Sequence, residues 1–398
     1  YNFTFNYGFL NYCLAFGLAL LAFAFWLRLS AAGRFRARLL LFVPISCALW
    51  VVHAFGWGIL GLLAFSAELI RHHDRLADWK RAFVRSAIDV APMGLPLIVM
   101  VAGNGGTVAG ETSEFFDFLS KMFAIVVTLR DQWLIWDSVA VGAGLVLLAS
   151  AIFDHHLEWS RKLAVPAASL AVAFLVLPVR VLGLSYADMR LAPAMLILGL
   201  LALRIRDEAR TAKVFAWLGL VFLCLRIGGN TASYAIESRK MQSMLTALDH
   251  IPHGSPVLFL SGEYCNQRPA MPRLAHLGSM VIARREGFSN DQWQAAGAQL
   301  LRVRYQAAGY FQDDRSSFLY SDNCIRQTER KSGRRMAYDH RPETALGKFP
   351  RGAFDYVWVV DPPGFDMKAR PGLIPIWRAP RAVLYRVDHP KAARPLPY

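Results

Sequence analysis

Apolar residues run in long blocks through the first half of the chain and in short bursts through the second. Phe9–Leu27, Leu39–Ile70, Trp133–Phe153, Leu163–Leu184, Leu191–Leu203 and Val214–Leu225 are largely apolar. Blocks near 20 residues match the thickness of a bilayer core. Leu39–Ile70 is too long for one upright span. It is interrupted at Val52-His-Ala-Phe-Gly-Trp-Gly58, where glycines can turn the chain, so it predicts two spans joined as a hairpin. Val90–Ala102 is short and holds Pro92 and Pro96, which predicts a broken span covered by its neighbours. His72–Val90 mixes polar and apolar residues and is expected on the membrane surface. Phe115–Leu129 reads as an amphipathic interfacial helix. The pattern as a whole predicts a mainly α-helical polytopic membrane protein of about eight spans.

From about Asn230 the period changes. A helical stretch, Tyr234–Leu248, leads to short apolar runs bounded by turn residues. Pro256–Ser261, Met280–Ala283 and Tyr356–Val360 read as buried strands. Pro375–Val387 reads as a closing hairpin broken at Ala379-Pro380. Strands alternating with helices predict a C-terminal α/β domain. The expected division is residues 1–229 for the membrane domain and 230–398 for the α/β domain.

Charge then orients the spans. The 398 residues carry a formal net charge of +15. In the first half, Arg28, Arg34, Arg36 and Arg38 close one inter-span segment, and Arg71, Arg75, Lys80, Arg81 and Arg85 fill the next on that side. Arg161 and Lys162, then Arg204, Arg206, Arg210 and Lys213, follow on the same side. The opposite loops hold only Lys121, Arg130 and Arg190, with Arg180 and Arg226 near their rims. Positive loops stay in the cytoplasm, so the α/β domain is expected outside, in the periplasm of a bacterial inner membrane. The basic balance is thus topological, and no nucleic-acid recognition module is present. Cys13, Cys47 and Cys224 fall in spans as apolar fillers, whereas Cys265 and Cys324 sit in polar loops of the exported domain and are expected to form a disulfide. The chain starts at Tyr1 without a signal-peptide pattern, and is expected to be a fragment of a longer protein.

Candidate chemistry centres on Asp188 and Arg190, at the mouth of an apolar helix with Pro193 in its first turn. Charges there are expensive and ask for a partner. One reading has Arg190 hold a phosphate or pyrophosphate of a lipid-linked donor, with Asp188 orienting it. The plainer reading is an arginine snorkelling to headgroups. Glu111, Glu114 and Asp117 form an outer acidic cluster, suited to general-base work or to a solvated loop. His53 reads as structural, and the pairs His72/His73 and His155/His156 as parts of the cytoplasmic signal. Gly103-Asn-Gly-Gly106 and Asp361-Pro-Pro-Gly364 read as turns. No metal site, cofactor fingerprint, nucleophile elbow or CxxC pair is found.

Three features resemble the superfamily of polytopic GT-C glycosyltransferases. Arg190-Leu-Ala-Pro193 is similar to the Arg-Tyr-x-x-Pro stretch of several such families, with Leu191 in place of Tyr and the proline one position sooner. The hairpin Val52–Gly58 with its short, uneven spans is similar, as is an outer α/β domain closing on Ala382-Val-Leu-Tyr-Arg386. The resemblance implies transfer of a sugar from a polyprenyl-phosphate carrier at the outer membrane face, in envelope glycan or glycolipid assembly. The family's acidic catalytic residues lie in a first outer loop for which this chain has no counterpart. Only Arg190 is therefore carried over, and no catalytic base is assigned. A lipid-carrier or polysaccharide transporter, and a non-catalytic anchor presenting a periplasmic binding domain, stand as alternatives.

Overall fold

The computed structural model describes residues 2–103, 112–154, 156–181, 186–206, 209–263, 271–294, 301–332, 338–364 and 370–388. The chain divides into two compact units, Tyr1–Ile227 and Gly228–Tyr398.

The first unit is helical. It begins with α1 (Phe3–Asn6), α2 (Leu10–Ala31), α3 (Phe35–Val52) and α4 (Ala54–Leu76), then α5 (Trp79–Val90) and α6 (Leu95–Gly103). After these come α7 (Phe118–Val126), α8 (Leu134–Phe153), α9 (Arg161–Val176), α10 (Leu191–Leu201) and α11 (Ala209–Leu245), in which the unit boundary falls. Among the described residues, six stretches are long and apolar enough to cross a membrane: Leu10–Ala31, Phe35–Val52, Ala54–Leu76, Trp79–Met100, Leu134–Phe153 and Arg210–His250. The sequence pattern predicts about eight spans, and α9 and α10 are the two that fall short. Helix α9 stops ahead of Leu177-Pro178, where the residue before proline leaves the helical region. Helix α10 gives way at Leu203 to β2 (Leu203–Ile205), which pairs antiparallel with β1 (Leu157–Trp159). The expected surface segment and broken span instead form one run. Only a 3₁₀ turn at Ala91–Gly94, where Pro92 lacks its N–H, separates α5 from α6.

Packing in this unit is close where the site lies. A Cβ on Gly56 would come within 2.5 Å of the Ala15 Cβ, so glycine is what lets the start of α4 approach α2. Tyr12, Ala15, Leu60, Leu63 and Ala64 are buried at that contact.

The second unit is an α/β layer. Its strands are β3 (Pro256–Gly262), β4 (Phe288–Ser289), β5 (Phe318–Leu319), β6 (Tyr356–Val360), β7 (Leu373–Ala379) and β8 (Ala382–Val387). They are ordered β4-β3-β6-β8-β7, with β5 also pairing with β3. Strands β4, β5 and β6 run parallel to β3, and β8 returns antiparallel to β6 and to β7. Both faces are covered. Leu258, Leu260, Val357 and Val359 enter one core while Val257, Phe259, Trp358 and Val360 enter the other. This explains why β3 and β6 read as unbroken apolar runs. The flanking helices are α12 (Ser279–Arg285), α13 (Asp322–Ser332) and α14 (Pro342–Lys348).

One expected strand is corrected. Met280–Ala283 lies in α12, and four apolar residues carry too little periodicity to separate the two states. A Cβ on Gly278 would lie 2.4 Å from the Phe259 ring, so the helix start rests on the sheet, with Val281 buried below and Glu286 closing the helix in the left-handed conformation.

Cys13, Cys47 and Cys224 are free thiols, whereas Cys324 is disulfide-bonded. Cys265, its expected partner, lies outside the described residues. Peptide mapping without reductant is expected to recover a linked pair containing Cys265 and Cys324. Alkylation of both as free thiols would reject that pairing.

Candidate functional site

Arg190 sits at the meeting point of three helix starts. It is the N-cap of α10, Phe9 is the N-cap of α2 and His53 is the N-cap of α4. The Arg190 guanidinium lies 4.5 Å from the centre of the Phe9 ring and 5.1 Å from that of Phe55. The buried Tyr12 hydroxyl donates to the Arg190 carbonyl, and the Tyr12 ring meets His53 edge-on at 5.6 Å. His53 Nδ1 accepts from the Phe55 N–H at 3.1 Å. Helix N-termini carry unsatisfied N–H groups and a partial positive charge. Neither Phe9 nor Arg190 supplies a side-chain cap. Most of these donors are already bonded, the Leu10 N–H to the Gly8 carbonyl, the Tyr12 N–H to Asn11 Oδ1 and the Leu191 N–H to the Asp188 carbonyl, so what the starts add is the partial positive charge of their dipoles.

Nothing described here neutralises Arg190. The residue is 5 % exposed, and its Nε is buried with no hydrogen-bond partner. Among the described residues no carboxylate pairs with it. Among the described residues the cation is faced by the aromatic rings of Phe9 and Phe55, which are worth less than an anion would be.

Asp188 does not orient Arg190. It pairs with Lys121, 3.3 Å away, and both side chains are fully buried. Lys121 Nζ also donates to the carbonyls of Phe174 and Leu177, each at 2.7 Å. It thereby satisfies the C-terminal end of α9. The pair ties α7, the end of α9 and the 3₁₀ turn Asp188–Arg190 together. Asp188 spends its charge on the scaffold and leaves Arg190 free. Lys121, which the sequence pattern counts only as a loop charge, is the residue that makes this possible.

The outer acidic cluster is partly absorbed by structure. Glu114 pairs with exposed Arg180 at 3.2 Å, and Asp117 caps α7 by accepting from the Ser120 N–H at 3.1 Å. Glu111 lies outside the described residues, as do His155 and most of the Gly103–Gly106 turn. Asp137, at the start of α8, accepts from Arg226 at 2.8 Å and from the Asp131 N–H at 2.7 Å.

A second charged centre lies at the other ends of α2 and α4, and sequence reasoning missed it. Glu68 Oε1 accepts from Arg38 at 2.5 Å, from Trp26 Nε1 at 3.0 Å and from Ser30 at 3.1 Å. Its Oε2 accepts from Arg71 Nε at 2.5 Å. Asp89 Oδ2 meets Arg71 at 2.7 Å, His72 at 3.0 Å and Arg38 at 3.2 Å. Glu68, His72 and Asp89 are close enough to ligate one ion. However, guanidiniums already occupy both carboxylates, so a dication would have to displace two arginines. The trio does not fit a metal centre. It is a charge-balanced clamp joining α2, α3, α4 and α5. The signal was spread thinly: Glu68 stands alone in an apolar block, and Asp89 is 17 residues beyond His72.

In the second unit a cavity of about 750 Å³ is lined by Trp293, Arg302, Arg304 and Asp313–Arg315. Arg315 donates to both oxygens of Asp313 and holds that carboxyl below the usual carboxylate range. Burial, followed by the neighbouring Asp313 charge, pushes Asp314 up. Asp313 is thus spent on a local ion pair. No family model, curated protein or solved structure matches the chain.

Proposed function

We propose that this chain is an eight-pass bacterial inner-membrane protein of GT-C glycosyltransferase type. In this reading Arg190 holds the phosphate of a polyprenyl-phosphate-linked sugar at the outer membrane face, and the α/β unit is periplasmic. The observation that carries it is the buried guanidinium of Arg190, without a carboxylate, among three helix N-termini. A snorkelling arginine keeps its tip in water, whereas this tip is packed between rings. A phosphate would give the buried Arg190 donor its acceptor. In sugar transfer the bond between the anomeric carbon and the phosphate oxygen breaks, and the phosphate leaves with added negative charge. A fixed guanidinium beside it stabilises that charge as it develops.

Loop contacts support the eight-pass alternation. On the side assigned to the exterior, the Phe3 N–H donates to the Thr128 carbonyl at 2.7 Å, and Ser113 bridges Arg180. On the side assigned to the cytoplasm, Arg161 pairs with Asp74 at 3.0 Å, and β1 pairs with β2. Reporter fusions after residues 75 and 208 are expected to read cytoplasmic, and a fusion after residue 250 periplasmic. A cytoplasmic reading at 250 would overturn both the span count and the location of the α/β unit.

The phosphate role is tested with the chain in nanodiscs and two probes, a short-chain polyprenyl phosphate and the matching polyprenol. Binding is expected to need the phosphate. Equal binding of the alcohol would leave an apolar groove and remove the transferase reading.

A further inference from the structure

The edge of the α/β sheet is interrupted at one point. Strands β4 and β5 lie on the same side of β3, because Ser261 pairs with Phe318 of β5 on that side and with Val360 of β6 on the other. β4 pairs with Pro256 and Val257, and β5 with Ser261 and Gly262. Between them a side chain replaces the ladder, and the Phe259 N–H donates to Asn290 Oδ1 at 2.7 Å. The chain leaves the sheet at this gap through residues 290–294 and returns to it through 313–317. The cavity of about 750 Å³ is lined by residues of both segments and of 301–304. It lies past the carboxyl end of β4, the end at which open α/β sheets bind ligands. Its volume falls within the range of small-ligand sites, roughly 300–1,000 Å³.

The walls are braced from behind by buried polar groups. Asn290 Nδ2 donates to Ser316 Oγ at 2.8 Å and ties the outgoing segment to the returning one. Asp291 accepts from Ser289 Oγ at 2.7 Å and from the Ser279 N–H at 2.8 Å, which fixes the outgoing segment to α12. Gln294 Oε1 accepts from the Val303 N–H at 3.0 Å. Ser289, Asn290, Asp291 and Ser316 are all buried. Such groups are costly unless bonded, and a satisfied network of them holds the main chain in one shape.

The lining itself is open to ligand. Trp293 is 43 % exposed, and Arg302 and Arg304 are exposed. Among the described residues no carboxylate pairs with either arginine. Arg315 spends its charge on Asp313. Burial, and then the charge of Asp313, shifts Asp314 toward its neutral form. The cavity thus carries two arginine charges that no ion pair absorbs, together with an indole and a carboxyl.

We propose that this cavity is a binding site for an acidic saccharide. The indole of Trp293 gives a pyranose ring a large apolar surface and attracts its weakly positive C–H groups. Arg302 and Arg304 offer planar forks that match carboxylate or phosphate oxygens. The Gln294 amide N–H groups and the Asp314 carboxyl supply donors and acceptors for sugar hydroxyls. A free anion would use the arginines and not the indole, and a neutral saccharide the indole and not the arginines. The site makes no use of Arg190 and stands whether or not Arg190 holds a phosphate.

The test measures calorimetric binding to the full chain in nanodiscs of zwitterionic lipid. Two matched probe pairs are used, trigalacturonate against its neutral methyl ester and phosphorylated maltotriose against maltotriose. The wild-type chain is expected to prefer at least one acidic probe over its neutral partner by about tenfold. The pair that shows the preference names the acid group. Arg302→Gln/Arg304→Gln should abolish the preference and leave the neutral probes unchanged. Trp293→Ala should weaken acidic and neutral probes alike by about fivefold, and Trp293→Phe should weaken them less. Arg378→Gln, at an exposed arginine of β7 on the opposite edge of the sheet, should change neither. No preference in either pair, or the same loss from Arg378→Gln as from the double variant, would reduce Arg302 and Arg304 to solvated surface charge and overturn the proposal. Acidic probes that bind equally well to Trp293→Ala would show a site for anions in general, and the saccharide assignment would fall.

Discussion

Glu68→Leu is expected to destabilise the first unit by about 3–5 kcal/mol, the usual cost of stranding a buried charge by removing its partner. Glu68 is 1 % exposed and is the acceptor shared by Arg38, Arg71, Trp26 and Ser30. Without it, two guanidiniums face Asp89 alone. The double variant Arg38→Leu/Glu68→Leu leaves Arg71 against Asp89, with His72 alongside, and charge balance returns. The double is therefore expected to be more stable than the single, despite carrying one more change. Buried ion pairs replaced whole by apolar residues often lose little. Thermal unfolding in detergent, followed by helical circular dichroism, ranks the three proteins. A double variant no better than the single would show that Arg38 and Glu68 are not coupled. A single variant within about 0.5 kcal/mol of wild type, the range of ordinary surface changes, would remove the clamp altogether.

That clamp also shows where sequence reading stops. Block hydrophobicity was enough to find α2, α3, α4, α8 and the apolar part of α11, because a membrane-length run needs no partner to be recognised. Two-sided burial made β3 and β6 legible for the same reason. The failures are local and long-range. The run Met280–Ala283 was ambiguous because its helix is set by Gly278 resting on Phe259, a contact that strand periodicity cannot report. The short helix α10 carries a span-like composition, but its length is fixed by the pairing of Leu203–Ile205 with Leu157–Trp159. At the site, Arg190 was visible as a charge beside an apolar helix. Its release from Asp188 was not, because that depends on Lys121, 67 residues before Asp188 in the chain. Phe9, His53 and Phe55 are unremarkable alone, and only the packing of Gly56 against Ala15 brings them to Arg190.

Arg190→Lys is expected to weaken polyprenyl-phosphate binding by roughly tenfold or more, while the protein still folds and inserts. The guanidinium offers a planar fork that meets two phosphate oxygens at once, and lysine offers a point charge without it. One charge-assisted hydrogen bond is worth about 1.5–3 kcal/mol, and each 1.4 kcal/mol is about a factor of ten in affinity. Arg190→Ala removes the charge as well and should bind more weakly still. It should not be less stable, because the Tyr12 hydroxyl holds the Arg190 backbone carbonyl and not the side chain. Alanine also relieves the cost of a buried cation that has no carboxylate. The comparison needs both membrane yield and affinity for the bare phosphate probe. A lysine variant that binds like the wild-type chain would mean that charge at this depth suffices and no fork is used. If both variants fail to accumulate, the stacking of Arg190 on Phe9 and Phe55 is itself structural, and Arg190 serves the fold instead of the phosphate.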